Sequence, residues 1–237
     1  MKLLAFVRSV IFEAARILLT VIFSIIAILT FPLPPIGRYR VITTWSRLIV
    51  FLARVLCGIR YRVEGAENIP ESACIILSKH QSAWETLAFQ VIFPPQVWVL
   101  RKSLLWIPFF GWGLAMMNPI AIDRKGGAGA MRETLKKGAN RIENNWFIVM
   151  FPEGTRVKPG ERKEYQVGGA WLATQLNSKI VPVALNAGNF WPKNAFIKTP
   201  GTITVKIGPA IDTSGKKPKE VISDVENWIE STMQTLI

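Results

Sequence analysis

Histidine and cysteine are scarce in this 237-residue chain, which contains one histidine and two cysteines. Cys57 and Cys74 lie in separate apolar stretches, where buried and inert thiols are expected, and they offer no disulfide framework. So few nitrogen and sulfur ligands argue against a transition-metal site. The sequence also lacks a G-x-S-x-G elbow, a Walker-type phosphate loop, an H-E-x-x-H motif and a C-x-x-C motif. No cofactor or metal is therefore expected, and several large enzyme classes are disfavoured.

Acidic residues are also few, 16 against 29 lysines and arginines, so the formal net charge is +13. An excess of this size suggests an acidic partner: nucleic acid, anionic lipid headgroups or a phosphate-bearing substrate. The basic residues do not form a tail. Six arginines and no acid lie between Arg38 and Arg62, within otherwise apolar sequence. Positive charge interleaved with hydrophobic residues favours membrane lipid over nucleic acid.

A long uncharged stretch lies near the N-terminus. From Ile17 to Gly37 there is no charged residue, and the stretch is just long enough to enter or cross the core of a bilayer before prolines from Pro32 onward end it. A signal peptide is the alternative interpretation. Glu13 and Arg16 precede the stretch, however, and no small-residue cleavage site follows it. We therefore expect a retained membrane anchor.

A second membrane-like segment, Val41–Ile59, follows directly. Arg47 and Arg54 are seven residues apart and share one helical face, while apolar residues cover the rest. This pattern predicts an amphipathic helix at the lipid interface, with an ordinary core-facing helix as the alternative. A single span and a monotopic hairpin both remain open. The expected organisation is a two-helix anchor, residues 1–58, followed by a catalytic domain, residues 59–237.

After Gly58, short apolar runs alternate with helical patterns. This alternation predicts an α/β fold with a mixed, largely parallel sheet that helices cover on both faces. Strands are predicted at Ile59–Glu64, Ala73–Ser78, Val97–Leu100, Pro119–Ile122, Trp146–Phe151, Ile180–Leu185 and Thr202–Ile207, and helices at Ala83–Val91, Ala128–Asn144, Gly168–Asn177 and Lys217–Leu236.

The single histidine, His80, follows one of these strands and precedes Glu85 by five residues. At that spacing a carboxylate can meet one imidazole nitrogen and fix the tautomer, while the other nitrogen takes a proton. The same residues also read as a capping box, with Ser82 as N-cap and Glu85 reaching back to its backbone N–H. Residue types alone do not separate the two interpretations.

Two arginines also follow predicted strands. Arg124 and Arg156 are either solvated surface charges or, if they converge at one sheet edge, a bidentate phosphate site. Gly154 would allow close approach of the backbone, and Glu153 would position a hydroxyl group. Loops at the carboxyl ends of parallel strands are where such groups gather.

Taken together, these blocks resemble the glycerolipid acyltransferase family, in particular its members that acylate 1-acyl-sn-glycerol-3-phosphate. The family carries an H-x-x-x-x-D motif, a block ending in I-D-R, an F-P-E-G-T-R block and a later V-P-V-type strand. A segment from Lys102 to Trp112 is also similar to the family. In this chain the four blocks are His80–Glu85, Ile122–Arg124, Phe151–Arg156 and Ile180–Leu185.

The resemblance implies specific roles for these residues. His80 would be the general base and Glu85 would orient it, although the family usually has aspartate at that position, which puts the geometry of the pair in question. The remaining positions would bind and shape the site for the phosphate of the acceptor: Arg124, Arg156, Lys102, Glu153, Gly154 and Thr155.

The implied reaction is transfer of a fatty acyl group from acyl-CoA or an acyl carrier protein to the sn-2 hydroxyl of 1-acyl-sn-glycerol-3-phosphate (lysophosphatidic acid), giving phosphatidic acid. Alternatives are acylation of glycerol-3-phosphate or of a lyso-aminolipid, and a non-catalytic lipid-binding protein associated with the membrane. The expected location is the bacterial inner membrane, with the catalytic domain at its cytoplasmic face and membrane lipids as partners.

Overall fold

The computed structural model describes residues 2–123 and 126–236. Two long helices come first, α1 (Lys2–Leu29) and α2 (Pro35–Cys57). Helix α1 begins well before the uncharged stretch that was predicted to form the anchor, because Glu13 and Arg16 are accommodated as an ion pair within it. Pro35 is the first residue of α2, a position that suits proline because the N–H it lacks has no helical partner there. Helix α2 ends at Gly58, whose φ of 70° gives the left-handed cap that favours glycine.

Within the described residues, seven strands form one mixed sheet in the order β1-β7-β6-β2-β5-β3-β4. All neighbouring pairs are parallel except β6 and β7, so β1 and β7 run opposite to the other five. The strands are β1 (Ile59–Glu64), β2 (Ile75–Ser78), β3 (Gln96–Arg101), β4 (Ile120–Ile122), β5 (Phe147–Met150), β6 (Ile180–Leu185) and β7 (Gly201–Ile207). Every predicted strand is confirmed, with ends that differ by at most a few residues.

The predicted helices between and after the strands are also confirmed near their predicted bounds, and one further short helix, α4, lies in a segment for which no helix was predicted. They are α3 (Trp84–Ile92), α4 (Phe110–Met116), α5 (Gly127–Glu143), α6 (Gly168–Gln175) and α7 (Pro218–Met233). Short 3₁₀ helices cover Ala66–Asn68, Lys102–Trp106 and Ala187–Asn189.

Each face of the sheet carries its own apolar core, because successive strand residues point to opposite faces. On one face Ile76 and Val181 pack with α2 and α3. On the other face Ile75 and Ile180 pack with α6 and α7. The fold class predicted from the sequence, a largely parallel sheet covered on both faces, is therefore confirmed.

The N-terminal helices share the first of these cores. Phe12 of α1 and Ile49 of α2 are completely buried in it. Much of the opposite side of α1 is exposed: Leu3 and Leu29 are 76% and 73% accessible. The stretch Leu3–Leu29 is long and apolar enough to cross a membrane. Residues 2–57 thus combine a face packed on the α/β domain with a face of exposed hydrophobic side chains.

Candidate active site

His80 lies in the loop after β2 and is held on two sides. Its Nδ1 is 2.9 Å from Oε1 of Glu85, and its ring stacks on Phe151 with centroids 3.7 Å apart and planes 9° from parallel. The side chain is 15% exposed and lines a cavity. When Nδ1 donates its N–H to Glu85, the lone pair lies on Nε2, the nitrogen available to a substrate.

Glu85, in the first turn of α3, is completely buried. Its Oε1 accepts N–H groups from the backbones of Gln81 and Ser82, each at 2.7 Å, as well as the contact from His80. Ser82 Oγ in turn accepts the backbone N–H of Trp84 at 3.1 Å. One carboxylate oxygen therefore accepts the N–H groups just before the helix and also contacts the imidazole. Ser82 is not the N-cap, however, because α3 begins at Trp84 with Ala83 in the N-cap position and no side-chain cap.

Glu153 holds the backbone of the same loop. Its Oε2 accepts the backbone N–H of His80 at 2.8 Å, while the backbone N–H of Val157 donates to the His80 carbonyl at 2.7 Å. The loop from Phe151 to Val157 therefore contacts both the backbone N–H and the backbone carbonyl of His80. Glu153 is completely buried, with Nζ of Lys79 2.8 Å from its Oε1. Burial raises the pKa of Glu153, and the Lys79 ammonium opposes that rise.

The sequence suggested that Glu153 would contact the substrate, but its buried position argues against direct contact. A carboxylate with no exposed surface does not contact a phosphate, and its negative charge would repel one. Gly154, by contrast, lines the cavity beside His80 and has a φ of 68°, a left-handed conformation that favours glycine. Glu153 thus holds the loop from its buried side, and Gly154 forms the side of the loop that lines the cavity.

Thr155 and Arg156 lie at the outer part of this loop, where a lysine that the sequence analysis did not single out joins them. Nζ of Lys193 donates to the Arg156 carbonyl at 2.9 Å and to Thr155 Oγ1 at 3.4 Å. The Arg156 guanidinium donates to Asn194 Oδ1 at 3.3 Å. Lys193 lies in the loop between β6 and β7, and no local pattern there distinguishes it from any solvated lysine.

The other predicted phosphate-binding residues are less closely grouped. Lys102 is exposed and begins the 3₁₀ helix after β3. Arg101, its neighbour, lines the cavity and was not predicted. Arg124 lies outside the described residues, directly after Asp123 at the end of β4. The structure thus gathers His80, Glu85, Glu153 and Gly154 into one compact site.

The cavity beside His80 has a volume of about 290 Å³ and extends to the N-terminal helices. Near His80 its walls are Phe151 and Gly154. Farther away they are mostly apolar side chains of α1, α2, α3, β3 and α4, including Phe23, Ile42, Trp45, Leu87, Trp98 and Leu114. An apolar pocket with a few polar groups at one end is typical of a site for a small amphiphilic ligand.

An α/β sheet, a histidine–carboxylate pair and an apolar pocket together suit an acyl-transfer enzyme. A family model described as Acyltransferase matches residues 60–186, more than half of the chain. The chain therefore belongs to the acyltransferase family.

The names of similar proteins specify the substrate on which those proteins act. A 1-acyl-sn-glycerol-3-phosphate acyltransferase from Pseudomonas aeruginosa is 44% identical over 205 residues, which cover 85% of this chain and 80% of that protein. One from Limnanthes douglasii is 31% identical over 216 residues, covering 90% and 76%. The crystal structure of the 1-acyl-sn-glycerophosphate (LPA) acyltransferase PlsC from Thermotoga maritima shares the fold, with a TM-score of 0.81, 20% identity, and coverage of 99% of this chain and 96% of that one.

Proposed function

We propose that the enzyme transfers a fatty acyl group from an acyl thioester to the sn-2 hydroxyl of 1-acyl-sn-glycerol-3-phosphate, giving phosphatidic acid. The observation that carries the chemistry is the contact between His80 Nδ1 and Glu85 at the mouth of an apolar cavity. The acceptor is inferred from two relatives named for this substrate, which are 44% and 31% identical to this chain.

In this mechanism Nε2 of His80 removes the proton of the hydroxyl group as the oxygen attacks the thioester carbonyl. The tetrahedral intermediate collapses with release of the thiolate, which takes the proton from the imidazolium. Glu85 stabilises the imidazolium that forms between the two steps. General-base assistance of this kind contributes a factor of roughly 10²–10⁴ in rate. No acyl-enzyme is needed, which is consistent with the absence of a serine elbow.

The phosphate of the acceptor would bind to cations of the loops around His80. We propose Arg156 and Lys193 as its main contacts, with Lys102 and Arg124 as further contacts and with Gly154 and Thr155 allowing close approach. Lys193 already contacts both Thr155 and Arg156, which supports this grouping. Holding the phosphate would orient the hydroxyl towards Nε2, and orientation can contribute more to rate than the proton transfer itself.

The apolar cavity would receive the acyl chain of the donor. Its carbonyl carbon must lie beside His80 for the attack, so the chain would extend from there towards α1 and α2. Each methylene removed from water there is worth about 0.8 kcal/mol. The cavity lies between the α/β domain and the helices that carry the exposed apolar surface, so a chain would enter from the membrane side.

Residues 1–58 would anchor the enzyme to the membrane, with residues 59–237 at the cytoplasmic face of a bacterial inner membrane. In the middle of α1, Glu13 pairs with Lys198 of the α/β domain, and Phe12 packs edge-on against Trp191. These contacts attach the middle of α1 to the α/β domain. They therefore favour a helical hairpin that lies in one leaflet over a helix that spans the bilayer. Exposed Trp106 and Phe196 would add to the same membrane-facing surface.

The test is acyl transfer by the purified full-length enzyme in phospholipid vesicles. It should be assayed with acyl-CoA and with acyl carrier protein as donors, and with lysophosphatidic acid, glycerol-3-phosphate and a lyso-aminolipid as acceptors. We expect the first acceptor to be preferred and His80→Ala to abolish transfer while the protein still folds and binds vesicles. Preference for another acceptor would overturn the substrate proposal, and an active His80→Ala enzyme would overturn the mechanism.

A further inference from the structure

Lys79, the residue directly before His80, is only 1% exposed although it carries a charge. Its Nζ lies 2.8 Å from Oε1 of Glu153 and 2.8 Å from Oε1 of Glu230. Glu230 belongs to α7, far along the chain, and also accepts the hydroxyl of Tyr165 at 2.8 Å. The ammonium is therefore enclosed by two carboxylates, and one of these is the residue that binds the His80 backbone.

Lys79 and His80 point to opposite faces of the sheet. His80 stacks on Phe151 on the cavity side, whereas the Lys79 ammonium lies near the Tyr165 ring on the side of α6 and α7. This follows from the alternation of side chains along extended backbone. Lys79 does not reach the substrate cavity, so a direct part in the reaction is ruled out by its position.

A buried lysine is costly unless its charge is compensated, and an apolar residue would fill the same space at lower cost. The charge has a specific use here. Glu153 must present Oε2 to the His80 N–H in a place without solvent, and the Lys79 ammonium on Oε1 supplies the counter-charge that this requires. Glu230, 17% exposed, supplies the second carboxylate and links the arrangement to α7.

We infer that Lys79 is a positioning residue: held between Glu153 and Glu230, it fixes the carboxylate that sets the His80 backbone, and so couples the C-terminal helix α7 to the active site. The inference rests on the proposed role of His80 as the general base. A small displacement of a reacting group, about 1 Å, can cost on the order of 10²-fold in rate.

The first experiment measures Lys79→Met in the full-length enzyme, with kcat and KM determined for donor and acceptor. We expect kcat to fall by on the order of 10- to 100-fold while both KM values change little, because the substrate contacts are untouched. The matched control is Lys216→Met, which removes an exposed ion pair between the preceding loop and Asp224 of α7 and should leave kcat unchanged.

The second experiment separates positioning from mere packing. In the double variant Lys79→Met/Glu153→Gln the neutral amide oxygen can still accept the His80 N–H and needs no counter-charge. We expect this double variant to recover a large part of the kcat lost in Lys79→Met, a rescue that a role confined to packing of the lysine stem would not give. Failure of the rescue, with both variants folded by thermal melting, overturns the inference.

Glu230→Gln keeps the proposal testable if Lys79→Met does not fold. Glu230 is the more exposed of the two carboxylates that contact Lys79. We expect a smaller drop in kcat in this variant, about threefold to tenfold, because the neutral amide leaves Lys79 with one charged partner. A kcat within about twofold of the wild type in Glu230→Gln would overturn the inference. If His80→Ala is itself active, the proposed function fails instead, so the two failures are distinguishable.

Discussion

Replacing Glu85 with glutamine tests whether one oxygen atom serves both the helix and the histidine. The amide oxygen can still accept the N–H groups of Gln81, Ser82 and His80, but as a neutral acceptor. Hydrogen bonds to a charged partner are worth about 1.5–3 kcal/mol and neutral ones about 0.5–1.5, so each bond weakens by about 1 kcal/mol. The amide NH₂ would also replace Oε2, which is buried and has no hydrogen-bond partner among the described residues.

The stability of the variant should therefore fall by about 1–3 kcal/mol, offset in part because a buried charge is removed. The effect on turnover should be larger. Without the carboxylate, the imidazolium loses its counter-charge, although the amide oxygen still accepts the Nδ1 proton. We expect kcat to fall by on the order of 10²- to 10³-fold, which corresponds to about 3–4 kcal/mol of transition-state stabilisation.

The control is Ser82→Ala, which removes the bond from Trp84 N–H to the Ser82 hydroxyl and leaves Glu85 in contact with His80. It should cost about 1 kcal/mol of stability and change kcat by less than about twofold. The assay combines steady-state acyl transfer in vesicles with denaturant unfolding. If Glu85→Gln and Ser82→Ala lose similar stability and retain similar turnover, Glu85 is only a cap and its proposed role is wrong.

Three further outcomes are expected. Burial raises the pKa of the Cys74 thiol to about 12, so little thiolate forms below that pH. At pH 8, iodoacetamide should therefore label neither Cys74 nor the buried Cys57 in the folded protein. Both cysteines should be labelled after unfolding, as measured by mass spectrometry. Gly113→Val should narrow the cavity and shift the enzyme towards shorter acyl chains in a donor competition assay, whereas Gly129→Val, in open space on α5, should not. Lys193→Ala should raise KM for the phosphate-bearing acceptor several-fold with kcat nearly unchanged; an unchanged KM would remove Lys193 from the proposed phosphate site.

The strands were predictable because most of them are short apolar runs bounded by glycine, proline or polar residues. Ile180–Leu185 has the predicted ends, since all six residues are buried and nothing polar interrupts the run. The start of α1 was not predictable from hydropathy. Glu13 looked like a charge outside the anchor, yet it lies inside the helix and pairs with Lys198, a partner 185 residues away.

The same limit explains the mixed outcome at the site. The short spacing between His80 and Glu85 and the position of Gly154 after a strand are local signals, which a sequence reports directly. The contact of Lys193 with Arg156 and that of Lys79 with Glu230 depend on how distant elements pack, which spacing does not report. The five-residue spacing indicated that Glu85 could meet the imidazole, but no spacing indicated that Glu153 would accept the backbone N–H of His80.

The backbone geometry does separate them once the sheet is known. Side-chain direction alternates from residue to residue along extended backbone, so the neighbour of a histidine that faces the cavity faces the opposite layer. A charged residue at that position, here Lys79, must then find its partners among α6, α7 and the loop that carries Glu153. Glu85 contacts the ring of His80, and Glu153 accepts the N–H of its backbone. The histidine is therefore fixed by one acid that contacts its imidazole and by a second acid that contacts its backbone and pairs with the buried Lys79 ammonium.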